Sequence, residues 1–373
     1  MGTFYRKIVV HADRFGSKDF DSAAKIVSVP RPSVPAPGHV LVKVLVAGIQ
    51  ASDIIQMSGG YGALQSQRPV TEFTGDVQPG DLGCEGVGYV TAVGIGDALV
   101  WPVGTTVAWW GYGTAFREEA SLPVASLIRV PDARPEWTVL PVSAMTAVGG
   151  LELVGRMRPG MAVLVTGAAG GTGHIAVQWA KRMHGARVAG TCGSDAKAAL
   201  LRSLGADVAV NYRTQDVVET LRAAFPAGFD VIYEAVGGRV GADARRLLAK
   251  TGVVIGIGSV SEDYSGRTVG DEDNRRLAAP PRLAAGQREE FFFMPNGEKL
   301  AGTERWRELV RLAVEAIAAG EVRVVLDEGC QAEPVGLEAV YAAQRRMRSG
   351  ENAGKIFARI SSEDVVEHQR AEL

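Results

Sequence analysis

The hydrophobic positions in the first third of the chain follow short runs rich in β-branched residues. Three such runs, at residues 39–50, 85–94 and 105–113, are separated by stretches with glycine, proline and aspartate. Apolar runs of this length between turn residues are typical of β-strands. No helix-length periodicity interrupts them for long, so the pattern predicts a β-rich domain.

The pattern changes near Trp137, where short apolar runs begin to alternate with helix-length amphipathic stretches. The predicted strands are residues 162–166, 186–191, 207–212, 229–237, 252–258 and 290–294. Strands that alternate with helices in this way predict a doubly wound parallel sheet. Helices at 304–319 and 337–348 and a closing strand at 354–360 are predicted to follow. Residues 261–289 are charged and rich in Gly, Pro and Arg, which predicts a mobile crossing outside the core.

A glycine-rich turn joins the first strand of this second region to a helix. Residues 162–173 read AVLVTGAAGGTG. In a nucleotide-binding turn, Gly170 would adopt dihedrals closed to other residues and leave room for a pyrophosphate, and Gly173 would let the helix pack closely on the strand. The N-terminus of the helix would attract the anion. Because Ala168 replaces the first glycine of G-x-G-x-x-G, a generic glycine loop is the alternative. The predicted cofactor contacts in the turn are Ala169, Gly170, Gly171, Thr172 and Gly173.

The helix after the turn and the strand before it favour the nucleotide-binding interpretation. Ile175, Trp179 and Met183 recur every four residues and predict one buried helix face. A βαβ setting of this kind is the context that gives a glycine-rich turn its meaning.

The end of the second strand bears on which dinucleotide binds. NAD-specific sites place Asp or Glu about twenty residues after the glycines, where it accepts hydrogen bonds from the ribose hydroxyls. This chain has Cys192 there, followed by Ser194 and Lys197. Tyr212 ends the next strand. These donors and this charge suit a ribose 2′-phosphate, so NADP(H) is predicted. Alternatively, Ser194 only caps the next helix and Lys197 is a solvated surface residue, with Asp195 adding an unfavourable charge.

Composition limits the other possibilities. The 373 residues suggest two or three domains, and 40 basic against 42 acidic residues give a net charge of −2. The absence of basic runs argues against nucleic acid or an anionic membrane as the main partner. No signal-like apolar core and no run of eighteen apolar residues occurs, and three scattered cysteines do not form a disulfide framework. A soluble cytoplasmic protein is therefore expected.

Several motifs, in this order, resemble the medium-chain dehydrogenase/reductase superfamily over almost the whole chain. They are GIQASDIIQMSGGY (48–61), LGCEGVGYV (82–90), SAMTA (143–147), GTCGSDAK (190–197), YEAVGG (233–238) and ENAGKI (351–356), together with the glycine turn. The combination is most similar to the quinone oxidoreductase and prostaglandin reductase branch, which reduces activated C=C bonds with NADPH.

The resemblance implies an α/β protein with two domains. A GroES-like, β-rich catalytic domain would comprise residues 1–136 and 296–373, and a doubly wound Rossmann domain that binds NADPH would comprise 137–295. The resemblance also implies that the edge strand carrying Phe291, Phe292 and Phe293 pairs across a homodimer. Further cofactor contacts implied by it are Thr146, Val236, Gly256, Gly258, Phe293 and Asn352.

The superfamily also contains zinc enzymes, so the positions of their metal ligands matter. Catalytic zinc needs three protein ligands, usually Cys or His. This chain has Gln50, Cys84 and Val142 at those positions, and the four closely spaced cysteines of a structural zinc lobe are missing. No metal is therefore predicted. Cys84 is interpreted as a small buried residue, with a reactive thiol as the alternative.

Without zinc, hydrogen-bond donors must orient the substrate carbonyl. By resemblance, Tyr61 lines the substrate side of the nicotinamide and is the first candidate, with a packed tyrosine as the alternative. Gln50 and Asp53 are further catalytic candidates, although either could be structural. Trp109, Trp110, Tyr112 and Phe292 are candidates for the wall of a substrate pocket, although such aromatic residues are often core.

The predicted activity is NADPH-dependent, zinc-independent reduction of the C=C bond of an α,β-unsaturated ketone or a quinone. Reduction of an enoyl thioester from polyketide or fatty-acid metabolism would use the same machinery. A nucleotide-binding protein that has lost catalysis is the alternative from another class.

Overall fold

The chain forms two compact units. The computed structural model describes residues 4–11, 14, 16–31, 35–58, 77–78, 80–96, 100–258, 282–293, 303–331 and 334–362. Unit 1 comprises Met1–Pro141 with Leu326–Leu373, and unit 2 comprises Val142–Val325. The chain therefore leaves unit 1 once and returns to it, as predicted for a nucleotide domain inserted after a β-rich one.

Unit 1 is built mainly from antiparallel strands. Its strands are β1 (Phe4–Val10), β2 (Ala24–Pro30), β3 (His39–Gly48), β4 (Glu85–Val93), β5 (Thr106–Trp110), β6 (Glu119–Pro123), β7 (Leu127–Arg129) and β14 (Phe357–Arg359). Its helices are α1 (Phe20–Ala23), α2 (Ala51–Met57) and α9 (Glu338–Ser349). Among the described residues of unit 1, strands β1 and β2 pair with each other, and a six-stranded sheet has the order β14-β3-β4-β5-β7 with β6 on β3. Strand β3 is buried at nearly every position, which explains its continuous apolar run.

Unit 2 is a parallel sheet with helices. Its strands are β8 (Ala162–Val165), β9 (Arg187–Cys192), β10 (Val208–Asn211), β11 (Phe229–Glu234), β12 (Leu248–Gly256) and β13 (Arg288–Phe291). Its helices are α3 (Met145–Gly149), α4 (Gly173–His184), α5 (Asp195–Ser203), α6 (Val217–Ala224), α7 (Gly238–Arg245) and α8 (Glu304–Ala318). The sheet order is β10-β9-β8-β11-β12-β13, and the pairings are parallel. This is the strand order of the doubly wound dinucleotide-binding fold.

The structure corrects one predicted domain boundary. Helix α8 belongs to unit 2, whereas the sequence interpretation placed everything after residue 296 in the catalytic domain. The helix buries Trp306, Leu309, Ala313 and Ala316, and the Trp306 ring stacks on Phe292 with centroids 6.5 Å apart. Its apolar face therefore completes the core of unit 2, which a boundary drawn after the last predicted strand did not anticipate.

Two smaller expectations also change. Met183 is 37% exposed, so the predicted buried stripe of α4 ends at Trp179, and the helix stops at Gly185, whose φ is +58°. The last strand of the sheet, β13, begins at Arg288, inside the segment predicted as a mobile crossing, while residues 261–281 of that segment lie outside the described residues.

One run of the described residues, Pro135–Val154, is long and apolar enough to cross a membrane by length and composition alone. However, 78% of its most apolar window is buried inside the protein. Trp137, Val139 and Val148 have no exposed surface, so burial in the protein accounts for the apolar composition.

Candidate functional site

The glycine-rich turn of unit 2 lies where the direction of strand order reverses. Strands β9 and β10 follow on one side of β8, whereas β11, β12 and β13 lie on the other. The turn directly follows β8, at the carboxyl edge of the sheet. Ligands of open α/β sheets bind at this kind of topological switch point.

Gly167 and Gly173 are the glycines that the geometry of the turn requires. Gly167 has a φ of +56°, in the left-handed region. A Cβ at Gly173 would lie 2.5 Å from the Gly167 carbonyl oxygen and 2.7 Å from the Ala168 Cα. Gly173 therefore allows close helix–strand packing, as predicted. Gly170 has no positive φ, so the unusual dihedral expected there belongs to Gly167 instead.

The turn presents backbone donors. Gly170 N–H is used within the turn by the Gly167 carbonyl, at 3.0 Å. Within the described residues, the N–H groups of Ala169, Gly171, Thr172 and Gly173 donate to no protein acceptor. They precede or begin a twelve-residue helix whose N-terminus carries partial positive charge. This arrangement can hold a phosphate or pyrophosphate.

The Thr172 side chain, in contrast, is already bonded inside the unit. Its hydroxyl donates to the Ser143 carbonyl at 2.8 Å and lies 2.7 Å from the Tyr233 hydroxyl. Burial raises the pKa of Tyr233 far above its ordinary value, so this phenol stays neutral and donates to Thr172. Thr172 can therefore meet a ligand through its backbone, while its hydroxyl fixes the start of α4.

The end of β9 carries Cys192, which is buried and whose thiol lies 3.4 Å from the Ser194 carbonyl oxygen. Ser194 caps α5 by accepting a hydrogen bond from Lys197 N at 3.2 Å. A hydroxyl that accepts one hydrogen bond can still donate another, so the cap leaves the Ser194 O–H available to a phosphate. Lys197 is half-buried at the start of this helix.

The next strand end adds one residue that the sequence interpretation missed. A Cβ at Gly193 would lie 2.7 Å from the Tyr212 hydroxyl and 3.5 Å from the Arg213 Nε, so both side chains lie over this glycine. The residue missed is Arg213. Its signal in the sequence was a second basic residue, besides Lys197, directly after the predicted contact Tyr212. Arg213 is exposed and adds positive charge beside the predicted 2′-phosphate contacts.

The negative charge of Asp195 has a partner within the unit. Buried Asn211 donates from Nδ2 to Asp195 Oδ1 at 2.8 Å, and its own Oδ1 accepts from Arg213 N at 3.1 Å. Asn211 therefore links the end of β10 to the start of α5 and reduces the acceptor strength of Asp195.

The loop after β11 is organised by a buried carboxylate. Glu234 Oε1 accepts from the backbone N–H groups of Val236 and Gly237, each at 2.9 Å. A Cβ on Gly167 would lie 3.2 Å from a Val236 methyl carbon, so this loop borders the glycine turn. The predicted cofactor contact Val236 is therefore held next to the turn.

The remaining predicted cofactor positions are spread along the units. Thr146 lies in α3 and is 8% exposed, and Gly258 follows the end of β12, where a Cβ would lie 3.9 Å from the Ala235 carbonyl oxygen. The Phe291 ring covers Gly256 from β13, at 2.5 Å from the place of a Cβ. Phe293 follows β13 in unit 2, and Asn352 lies in unit 1 between α9 and β14.

In unit 1, the catalytic candidates Gln50 and Asp53 cap a helix. Gln50 is the N-cap of α2: its side chain accepts from Asp53 N, and Asp53 Oδ2 accepts from Gln50 N at 2.8 Å. Gln50 Nε2 also donates to Glu85 Oε1 at 2.6 Å. This reciprocal capping box stabilises the helix terminus. Both side chains therefore have a structural role at the start of α2.

A buried ion pair completes this cluster. Glu85 and Lys355 have no exposed side-chain surface and are bonded to each other, and Lys355 Nζ also donates to the Ile49 carbonyl at 2.9 Å. Burial raises the pKa of Asp53 to about 7, against the lowering effects of the Gln50 N–H bond and the Lys355 charge. Burial likewise raises the pKa of the Cys84 thiol, which makes a reactive thiolate unfavourable.

The residues at the zinc-ligand positions do not fit that metal. Gln50 is committed to the capping box, Cys84 lies 3.6 Å from Ser52 Oγ with its thiol protonated, and Val142 has no donor atom. Among the described residues, no group of three or more His, Cys, Asp or Glu side chains is placed to hold a metal ion.

The predicted aromatic wall is only partly available. Trp109 and Phe292 are corrected: Trp109 has no exposed surface and donates to Thr114 Oγ1 at 3.1 Å, and Phe292 is 4% exposed against Trp306. Both rings are core because they pack within their own units. Trp110 and Tyr112 remain half-buried and meet edge to face at 5.8 Å. Tyr61 lies outside the described residues.

A Rossmann-type unit with open donors on its first glycine turn, inserted into a β-rich unit, defines a dinucleotide-binding oxidoreductase. Residues 36–132 match the family described as alcohol dehydrogenase GroES-like domain, and residues 171–277 match zinc-binding dehydrogenase. The chain belongs to the medium-chain dehydrogenase/reductase superfamily, in its quinone oxidoreductase-like branch.

Two relatives and one solved structure illustrate the likeness. The chain is 36% identical to a probable quinone oxidoreductase of Leishmania amazonensis over 92% of its own length and 95% of the relative's. It is 36% identical to prostaglandin reductase-3 of Mus musculus over 88% and 82% of the two lengths. The structure of Escherichia coli quinone oxidoreductase complexed with NADPH superimposes with a TM-score of 0.74 at 21% identity, covering 95% of this chain and 99% of that one. At that identity, the superposition concerns the fold.

Proposed function

We propose that the protein is an NADPH-dependent reductase that transfers hydride to the activated C=C bond of an α,β-unsaturated ketone or a quinone, without zinc. The observation that carries the proposal is the open set of backbone donors on the turn after β8, together with the basic and hydroxyl groups after β9 and β10. The relatives named quinone oxidoreductase and prostaglandin reductase-3 support the reaction class.

The residues of unit 2 fit NADPH. The N–H groups of Gly171, Thr172 and Gly173 would hold the pyrophosphate, because they donate to no protein acceptor among the described residues. The side chains that would hold the 2′-phosphate are Ser194, Lys197, Tyr212 and Arg213. The residue at the end of β9 is a buried cysteine, where an NAD site has a carboxylate that would repel the phosphate.

When bound, NADPH supplies the hydride. The chain's own task is to orient the substrate carbonyl and to stabilise the charge that develops on its oxygen, for which a neutral O–H donor is sufficient. Tyr61 is the proposed donor. Gln50 and Asp53 are not proposed for this role, because the Gln50 amide and Asp53 Oδ2 are used in hydrogen bonds within unit 1. The enolate would then take its proton from water.

The donor set also favours C=C reduction over alcohol oxidation. An alcohol must lose its hydroxyl proton, and zinc enzymes assist this by stabilising the alkoxide. An amide used in a helix cap, a buried thiol and a valine cannot act in this way. An enone instead places its developing charge on an oxygen that a neutral donor can hold.

The first test follows the hydride. NADPH consumption is measured with quinones, alkenals, cyclic enones and enoyl thioesters, and NADPH deuterated at the transferred position is used with the best substrate. We expect deuterium on the β-carbon of a saturated ketone. Deuterium on a carbinol carbon with the double bond intact would overturn the reaction class. Turnover of enoyl thioesters alone would assign the substrate to that class, and NADPH binding without turnover would indicate a non-catalytic protein.

The second test concerns Tyr61 and the metal. Tyr61→Phe should lower kcat more than it raises KM, roughly tenfold to a hundredfold, because one transition-state hydrogen bond is lost. Exhaustive chelation should leave activity unchanged. A stoichiometric zinc required for turnover would contradict the zinc-free mechanism.

We also propose that the protein acts in the cytoplasm as a homodimer. The exposed edge strand β13, on which Phe291 is 73% exposed, supports a partner there. Light scattering with size-exclusion chromatography tests the oligomeric state, and Phe291→Asp should give monomers.

A further inference from the structure

Two polar side chains on one face of α4 have no exposed surface. They are His174 and Gln178, the second and sixth residues of the helix. Burying polar groups in this way is unfavourable unless they are hydrogen bonded. Their bonding partners lie in or next to the glycine turn and in the last residues of unit 2.

The His174 side chain links the glycine turn to Val325 through its two ring nitrogens. Its Nδ1 lies 2.9 Å from the Gly170 carbonyl oxygen, and its Nε2 lies 3.2 Å from Val325 N. A carbonyl can only accept, so Nδ1 must carry the proton. A backbone N–H can only donate, so Nε2 must be bare. Both bonds are made together only by the neutral imidazole in the Nδ1–H tautomer.

Gln178 is hydrogen bonded to the backbone of Arg323, near the C-terminal end of unit 2. Its Oε1 accepts from Arg323 N at 2.8 Å, and its Nε2 donates to the Arg323 carbonyl at 2.8 Å and to the His174 carbonyl at 2.9 Å. Its amide thus pairs with one residue's backbone as a neighbouring strand would. Val325 is the last residue of unit 2.

The position of the Gly170 carbonyl controls the donor beside it. The Gly170 oxygen accepts from both Nδ1 and the backbone N of His174, at 2.9 and 3.1 Å. In a planar trans peptide, the carbonyl and the following N–H point in opposite directions. Holding the Gly170 carbonyl toward the helix therefore turns the Gly171 N–H away from it, toward the side where a phosphate would lie.

We propose that His174 is a positioning residue for the dinucleotide pyrophosphate and that, with Gln178 and residues 323–325, it forms a clamp that ties the phosphate-binding turn to the end of unit 2. The identity of the ligand rests on the proposed function. The clamp itself is built from contacts within unit 2 alone.

Two near-isosteric variants separate the two bonds of His174. His174→Asn keeps a side-chain donor near the place of Nδ1 and loses the acceptor for Val325. His174→Gln keeps an acceptor near the place of Nε2 and loses the donor to Gly170. His174→Leu removes both bonds at similar volume, and Arg182→Gln, at an exposed position of the same helix, is the control.

The first readout is ligand affinity. His174→Gln and His174→Leu should raise the Kd of NADPH roughly fivefold to tenfold, whereas His174→Asn should stay within about twofold, because one oriented hydrogen bond is at stake. The Kd of adenosine 2′-monophosphate, which has no pyrophosphate, should not change in any variant. A purely structural role predicts that all variants weaken both ligands alike, and this result would overturn the proposal.

The second readout needs no ligand. Amide hydrogen exchange at Val325 should be faster in His174→Asn and His174→Leu and protected in His174→Gln and the Arg182→Gln control. If the unmodified protein binds no NADPH, the proposed function is wrong, and this pattern still decides whether the clamp exists. Equal exchange at Val325 in all variants would overturn it.

Discussion

The glycine turn of unit 2 and the polar cluster of unit 1 both contain residues typical of active sites, but they satisfy their hydrogen bonds in opposite ways. In the turn, the N–H groups of Gly171 and Gly173 find no acceptor among the described residues. In the cluster, Gln50 bonds Asp53 and Glu85, and Lys355 bonds Glu85 and the Ile49 carbonyl.

The state of the hydrogen bonds, more than residue type, therefore distinguishes a ligand site from a structural cluster. The first N–H groups of a helix have no acceptor within the helix, so they remain available to an anion. Side chains that already satisfy one another stabilise the fold. We therefore expect changes in the cluster to affect stability first, and changes in the turn to affect ligand binding as well.

The largest expected effect is on the ion pair of the cluster. Lys355→Met leaves the Glu85 carboxylate buried without its cation and should lower the free energy of unfolding by about 3–5 kcal/mol. The matched control is Lys181→Met, whose pair with Asp207 at 2.8 Å is part-exposed and should cost at most about 1 kcal/mol. Urea unfolding followed by tryptophan fluorescence measures both. Equal losses would mean that the cluster is not the structural core inferred here.

The pH dependence of stability should come next in size. Burial raises the pKa of Asp53 from 3.8 to about 7, so folding favours its protonated form. Its contribution is complete below its ordinary pKa and is lost as the pH rises through about 7, on the order of 4 kcal/mol in total. Asp53→Asn should flatten the curve of melting temperature against pH between 4 and 7.

Glu152 of unit 2 is the control, because its pKa is shifted in the opposite direction to that of Asp53. Despite burial, hydrogen bonds from His184 and Trp179 lower its pKa, so its contribution is present above its ordinary pKa and is lost on acidification. Glu152→Gln should therefore lower stability at neutral pH, where Asp53→Asn does not. If both variants moved the curve in the same direction, the contrast between the two buried carboxyls would be wrong.

A change in the turn should affect both stability and binding. Gly173→Ala places a Cβ 2.5 Å from the Gly167 carbonyl oxygen and should cost about 1–3 kcal/mol of stability and weaken NADPH binding. Gly170→Ala is the graded control, because its Cβ would lie 3.2 Å from that oxygen and should cost less stability. Melting temperatures and NADPH titrations of both variants test this. If Gly173→Ala were as stable as the unmodified protein, the turn would accommodate a Cβ at this position and the prediction would be wrong.

The smallest expected effect is on cofactor choice. NADPH should bind at least about tenfold more tightly than NADH, because charge-assisted hydrogen bonds to the 2′-phosphate are worth roughly 1.5–3 kcal/mol. Lys197→Ala should remove most of that preference and Arg213→Ala part of it, whereas the exposed Lys250→Ala should leave it unchanged. Fluorescence titration with both cofactors gives the ratios. Equal affinities for NADPH and NADH in the unmodified protein would contradict the 2′-phosphate site. Ser194 would then only cap α5.

Local patterns were sufficient for much of the fold. The apolar runs predicted β3, β4 and β5 and the first five strands of the parallel sheet, and the glycine turn predicted the start of α4. These features depend on hydrophobic period and turn chemistry, which are properties of neighbouring residues. The motifs and their order identified the superfamily for the same reason.

The tertiary structure decided what depends on residues distant in sequence. Gln50 and Glu85 are 35 positions apart, and His174 and Val325 are 151 apart, yet these pairs determine what the side chains can do. The position of Arg213 over Gly193 likewise follows from the pairing of β9 with β10. A sequence specifies which groups are available, but whether a donor is free or already bonded depends on which distant atoms the fold brings within hydrogen-bonding distance.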